Sequence, residues 1–287
     1  MIDAHVHFWN PARNDDILIV RRQPVLARRY MPEELLPELA AAGVTGAVAI
    51  QSAPNPDETA HLIDTSAAVA VVRAVVGWVD LTAPDAGARL DALRTRPKLV
   101  GVRAMLNRAP TVDWLALPSV RAGLVALAER DLTLDLIAGP AQIPAILQVA
   151  KALPNLRFVV DHGATPPTGR PEFGAWRESV ARLAGETSAR TKFSGLAEEA
   201  PEDWKAETLA PAFEHLLACF GTERIMWASN WPVIDLRGGY ARWVAASMRL
   251  LDRADLTPAA RAAILETNAS EFYRAPRIPE TASNRRG

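Results

Sequence analysis

The chain has 287 residues, 49% of them hydrophobic and 23% charged, with 32 basic side chains against 33 acidic ones. So even and scattered a balance excludes the electrostatic footprint of a nucleic-acid or membrane-surface binder. A single cysteine, Cys219, excludes a disulfide framework and fits a reducing compartment. No apolar run approaches the roughly 18 residues of a membrane span, and no signal peptide is recognisable, so the reading is a soluble, cytoplasmic protein.

In chain order, short apolar runs suited to burial on both faces occur at Ile2–Val6, Gly46–Ile50, Ala74–Val79, Leu99–Ala104, Thr133–Ile137, Arg157–Val160, Thr191–Phe193 and Ile225–Ala228. Helical patterns lie between them at Glu33–Ala42, Asp57–Ala70, Asp85–Arg94, Pro118–Arg130, Ala141–Ala152, Phe173–Ala184 and Trp204–Cys219, with a last one at Pro258–Ala269. Several open at Pro, Asp, Ser or Thr, the residues that start helices. Alternation of strand and helix means parallel pairing with right-handed crossovers. Eight such units over residues 1–275 match a single (β/α)8 TIM barrel, and the first βα turn lacks the glycine signature of a dinucleotide fold. Residues 276–287 read as a loose polar tail.

Chemistry in such a barrel sits where strands end. The first strand carries His5 and His7, two residues apart and therefore on one side of it, with Trp9 just beyond. Two imidazoles so placed can hold a divalent metal or grip a polar substrate group. Later strand ends add Gln51, Ser52, Trp78, Asp80, Arg103, Asn107, Asp135, Asp161, His162, Lys192, Ser194, Ser229, Asn230 and Trp231. His61 and His215 fall within helices and read as packing or solvated residues. Cys219 reads as the buried face of a helix. Arg103, following a buried strand, reads either as a clamp on a substrate oxygen or as half of a salt bridge with an acidic neighbour such as Asp135. Trp9, Trp78 and Trp231 can stack on a sugar ring, although a cap on the barrel is the plainer reading of each. Gln51 is a candidate hydrogen-bonding wall.

These strand-end blocks carry a resemblance. Asp3-Ala4-His5-Val6-His7-Phe8-Trp9-Asn10-Pro11 is similar to the opening of the sugar-acid lactonase branch of the amidohydrolase superfamily. The match continues through Val76–Leu81, Leu99–Leu106, Val160–Gly163, Thr191–Leu196 and Arg224–Val233. The resemblance implies a TIM barrel that opens a lactone ring with water, a small-molecule lactone as partner, and a site built on His5, His7, His162 and residue 230. It leaves open whether one Zn²⁺ bound by His5, His7 and His162 is required or the histidines act without metal, and it leaves homo-oligomerisation open.

One residue departs from the pattern. Where these hydrolases carry an Asp after the last strand, as base toward the attacking water, this chain has Asn230. An amide accepts and donates hydrogen bonds but takes no proton. Three readings stay open: an altered form of a lactonase; a hydrolase whose base is another group, such as His162, Asp80 or Asp135; or a lactone isomerase or binding protein. On the lactonase reading, Asn230→Asp is expected to speed hydrolysis by roughly ten- to several-thousand-fold.

Overall fold

The strands form because Val, Ala, Ile and Leu follow one another without interruption, which suits a sheet covered on both faces. In the computed structural model, which describes residues 1–13 and 17–274, they are β1 (Ile2–Val6), β2 (Gly46–Ile50), β3 (Val72–Gly77), β4 (Leu99–Met105), β5 (Thr133–Ile137), β6 (Phe158–Val160), β7 (Arg190–Phe193) and β8 (Ile225–Trp227). All pair in parallel and in chain order. Eight parallel strands with helices between them form a nearly closed barrel, as expected from the sequence. The predicted tail, 276–287, lies outside the described residues.

The helices are α1 (Leu18–Arg22), α2 (Pro32–Ala41), α3 (Pro56–Ala67), α4 (Ala86–Arg94), α5 (Pro118–Glu129), α6 (Ile143–Ala152), α7 (Phe173–Glu186), α8 (Ala206–Phe220), α9 (Gly239–Arg253), α10 (Pro258–Ala262) and α11 (Asn268–Phe272). Besides the short α1, which was not expected, two departures stand out. α9 was not expected, yet it buries Tyr240, Trp243, Ser247, Leu250 and Leu251 at helical spacing. It opens from Gly238, in the left-handed region, and lacks the capping residues that mark other starts. The helix expected at Pro258–Ala269 is divided instead: a wider π turn over Ala263–Thr267 separates α10 from α11. Cys219 is only partly buried on α8. No described helix is long and apolar enough to cross a membrane.

The barrel closes where the chain's first residues meet those after β8. His7 N–H donates to the Trp231 carbonyl at 2.8 Å, and Asn230 N–H donates to the His5 carbonyl at 2.9 Å. Asp3 reinforces this seam. Its Oδ1 accepts from the Ser229 N–H at 2.9 Å, and its Oδ2 accepts from the Tyr240 hydroxyl at 3.0 Å. Burial lifts the Asp3 carboxyl to a pKa of about 6 despite these bonds. Asp3→Ala would leave two buried donors without an acceptor, each costing about 1–3 kcal/mol. Urea unfolding should therefore show a loss of at least about 1 kcal/mol; an unchanged midpoint would remove Asp3 from any part in closure.

Candidate active site

Three of the sequence candidates come together at the carboxyl ends of β1 and β6. His5 Nε2 lies 3.1 Å from His7 Nε2, and the His5 and His162 ring centres are 4.6 Å apart. All three imidazoles are buried. His7 Nδ1 sits 2.8 Å from the Ile50 carbonyl, which fixes Nδ1 as the donor and leaves the Nε2 lone pair free. His162 Nδ1 lies 2.8 Å from Ser194 Oγ. Burial, and for each ring a neighbouring cation, push the histidines toward the neutral form. For His5 the cation is Lys192, and for His7 it is Arg103. His162, lowered chiefly by burial, falls to about 4.

Local backbone explains the positions. His162, Gly163, Ala164 and Thr165 all have positive φ, a tight turn that brings His162 back over the end of β6. Gly195 makes room for it. A Cβ at Gly195, whose φ is +70°, would stand 2.4 Å from His162 Cβ, a separation no side chain tolerates.

Beneath the histidines lies a cluster of charges with no solvent exposure. Lys192 Nζ reaches Asp135 Oδ2 at 2.5 Å, Asp161 Oδ1 at 3.0 Å and His5 Nδ1 at 3.0 Å. The Tyr273 hydroxyl donates to Asp135 Oδ2 at 2.7 Å. Arg103 Nη1 stands 3.7 Å from Asp161 Oδ2, and its Nη2 donates to the Gln51 carbonyl. Burial raises Asp161, but Lys192 and His5 outweigh it and hold that carboxyl well below the usual range. Asp135 rises with burial to about 6. The acidic neighbour of Arg103 is thus Asp161 rather than Asp135, which is committed to Lys192.

A cavity of about 230 Å³ opens above this cluster. His7, Arg103, His162, Asn230 and Trp9 line it, together with Ser52, Asn107 and Thr165. Other candidates lie elsewhere. Gln51 is fully buried, with its amide turned to the Arg103 carbonyl at 3.4 Å, so it supports Arg103 and forms no wall. Trp231 packs on Phe8 and Tyr30 and does not line the cavity. Trp78 and Asp80 line a separate cavity of about 210 Å³ with Trp114, on whose wall Arg103 also appears. Asp80 accepts from Thr82 N–H and Oγ–H at 2.9 and 2.6 Å, a loop-shaping role.

Among the cavity residues that sequence reading missed, one carries chemistry of its own. Glu198, in the loop after β7, lines it and accepts from the Asn230 side-chain Nδ2 at 2.8 Å. Its other oxygen is buried without a protein partner. Two consecutive glutamates, Glu198-Glu199, follow Ser194 within the same βα loop. That carboxylate pair was the available signal, but the reading of β7 stopped at Ser194.

The conserved geometry of metal sites gives a test of fit for an ion. Among the described residues, His5, Asp161 and His162 offer ligand atoms within 4.8 Å of one another, and His7 Nε2 adjoins His5. His5 and His7 bring their Nε2 atoms to 3.1 Å, and with His162 and the ionised Asp161 these imidazoles make a donor set for one tetrahedral divalent ion, which would displace the proton shared between the two Nε2 atoms.

The amidohydrolase family profile, Amidohydro_2, matches residues 2–275. The chain belongs to the amidohydrolase family. It is 36% identical over 279 residues to an L-fucono-1,5-lactonase of Burkholderia ambifaria, covering 96% of each chain. A second L-fucono-1,5-lactonase, from Burkholderia multivorans, is 30% identical, with 99% of this chain and 98% of that one covered. The crystal structure of an amidohydrolase from Burkholderia multivorans with bound zinc superposes with a TM-score of 0.88 at 28% identity, over 96% of this chain and 99% of that one. This amidohydrolase is accordingly a hydrolase built on the TIM barrel. Dialysed against Zn²⁺ and then against buffer, it should retain about one ion per chain by elemental analysis, the stoichiometry of one three- or four-ligand site. The His5→Ala/His7→Ala pair should retain almost none; full retention would refute this ligand set.

Proposed function

We propose that this amidohydrolase opens the ring ester of a sugar-acid lactone with water. The observation that carries the reading is the convergence of His7, His162 and the Arg103 guanidinium on one small cavity at the carboxyl ends of the strands. The lactonase relatives, matched over nearly their whole lengths, narrow the substrate to a lactone. Polar groups on the wall suit the hydroxyls of a sugar acid, while Trp9, Met105, Ile137 and Val233 offer an apolar side to the ring carbons.

Hydrolysis places a water against the lactone carbonyl carbon, and negative charge then develops on the carbonyl oxygen. Donors already fixed around the cavity stabilise that charge without reorganising. Arg103 is held by the Gln51 carbonyl and Asp161, so its remaining N–H groups keep one direction. Neutral His162 offers a donor or an acceptor according to tautomer, whereas His7, with its Nδ1 proton on the Ile50 carbonyl, offers an acceptor. A divalent ion, held by His5, His7, His162 and Asp161, would supply Lewis acidity toward the carbonyl. Asn230, lacking a carboxylate, orients groups and removes no proton.

Acid release followed with a pH indicator tests the reading on a panel of 1,4- and 1,5-lactones of six-carbon sugar acids, beginning with L-fucono-1,5-lactone. Saturable release on at least one is expected. Interconversion of 1,4- and 1,5-lactones by NMR without acid release would replace hydrolysis with isomerisation. Arg103→Lys should lower kcat/KM by about 10²-fold, since lysine cannot reproduce a planar fork of donors. Unchanged kinetics would confine Arg103 to its ion pair with Asp161.

A further inference from the structure

We propose that Glu198, hydrogen-bonded to the Asn230 amide on the wall of the cavity, is the general base that takes the proton from the attacking water. The assignment rests on the lactone-hydrolase reading and deepens it. A barrel hydrolase of this kind needs a proton acceptor beside the attacked carbon, and Asn230 cannot be one. The candidates suggested by sequence alone are otherwise engaged. Asp135 is bound to Lys192 and Tyr273, Asp80 lies in the other cavity, and His162 meets Ser194 Oγ through Nδ1 and belongs to the set that would hold an ion. Glu198 alone combines a carboxylate, a place on the cavity wall and a bond to residue 230.

Its geometry suits the task. Asn230 Nδ2 engages Oε1, while Oε2 is closed to solvent and has no protein partner, so a carboxylate on the cavity wall keeps lone pairs that no protein donor claims. The loop is fixed from below by Arg237, just past Asn230 in the chain. Arg237 Nε donates to the Ala197 carbonyl at 2.9 Å, and its Nη2 donates to the Ala200 carbonyl and to Pro201's at 2.7 Å. Both loops that bear the Asn230–Glu198 pair are thereby tied together. Burial lifts the Glu198 carboxyl to about 7, where a base is matched to neutral solution. Neighbouring Glu199 pushes the same way, while the Asn230 bond and Arg237 oppose it. Arg22, Arg103, His7 and His162 are the other ionisable groups around the cavity.

In the step, water gives a proton to the Glu198 carboxylate as its oxygen bonds to the lactone carbonyl carbon. The tetrahedral adduct then collapses with cleavage of the ring C–O bond, and the proton passes from Glu198 to the departing ring oxygen. Lactone and water become a hydroxy acid, and its carboxyl ionises into solution. In this chain the amide stands at 230 and the acid at 198, on the two sides of one hydrogen bond. This alters the expectation for Asn230→Asp. A second carboxylate against Glu198 makes the two share one proton, so that variant alone should bring no gain.

The test is kcat and KM against pH for the unaltered chain, Glu198→Gln, and Glu198→Gln/Asn230→Asp. The unaltered chain should lose kcat as pH falls through about 7, because the base is then protonated. Glu198→Gln, with nearly the same shape, should lose kcat by about 10²–10⁴-fold with KM little changed, and the limb near 7 should vanish. The double variant exchanges acid and amide and should recover at least about tenfold of that loss. If the unaltered chain opens no lactone, the hydrolase reading fails and this assignment falls with it. If it opens lactones but shows no limb between pH 5 and 9, the hydrolase reading stands and Glu198 is not the base. Glu198→Gln within about twofold of the unaltered rate, or slower but with the limb in place, overturns the assignment in the same way.

Discussion

One buried ammonium, Lys192, governs the interior of this barrel. It lies on β7, and its partners come from β5, from the turn after β6 and from β1. A charge at that depth costs several kcal/mol unless it is compensated, so each partner has to be held in turn. Tyr273 at the end of α11 holds Asp135; Arg103 on β4 faces Asp161. The result is a nearly neutral group of two acids and two bases beneath the histidines. Together with burial, which weighs most, it keeps three imidazoles uncharged side by side, because Lys192 beside His5 and Arg103 beside His7 repel an added proton. Neutrality of the rings thus depends partly on Lys192, which never reaches the substrate cavity.

Most of the scaffold was legible in the sequence because a strand buried on both faces must be apolar throughout. The eight runs stood out against helices that show period rather than continuity. His5 and His7 announced themselves by spacing, and His162 by its place after an apolar run. Partnership was not legible. Whether Arg103 meets Asp135 or Asp161 depends on side-chain reach across a curved sheet, since Arg103 and Asp135 are backbone neighbours and yet do not pair. Trp78 and Trp9 look alike in sequence, but the first lines a second cavity. Glu198 was missed because loops carry no period, and its importance arises only from Asn230, 32 positions later. The unexpected α9 had the period but no start signal, since Gly238 stands at its cap position and Gly239 opens it.

Asn230 and Glu198 show how little a single departure from a pattern tells when read alone. An amide in place of an acid suggests loss. With the neighbouring loop in view, the same amide is a donor that orients an acid on the opposite wall. Function at such a position belongs to the pair, and the amide's neutrality is what allows the partner to ionise near neutral pH.

The seam between β1 and the residues after β8 has a further consequence, in the order of assembly. Bonds from Ser229 to Asp3 and from Asn230 to His5 span more than two hundred positions, so the two halves of the seam emerge from the ribosome far apart in time. The opening histidines must wait, as part of an unclosed sheet, until the last strand has been synthesised. Closing a loop of that length is among the slower events in folding. The pocket consequently cannot be complete until the first and last strands have joined.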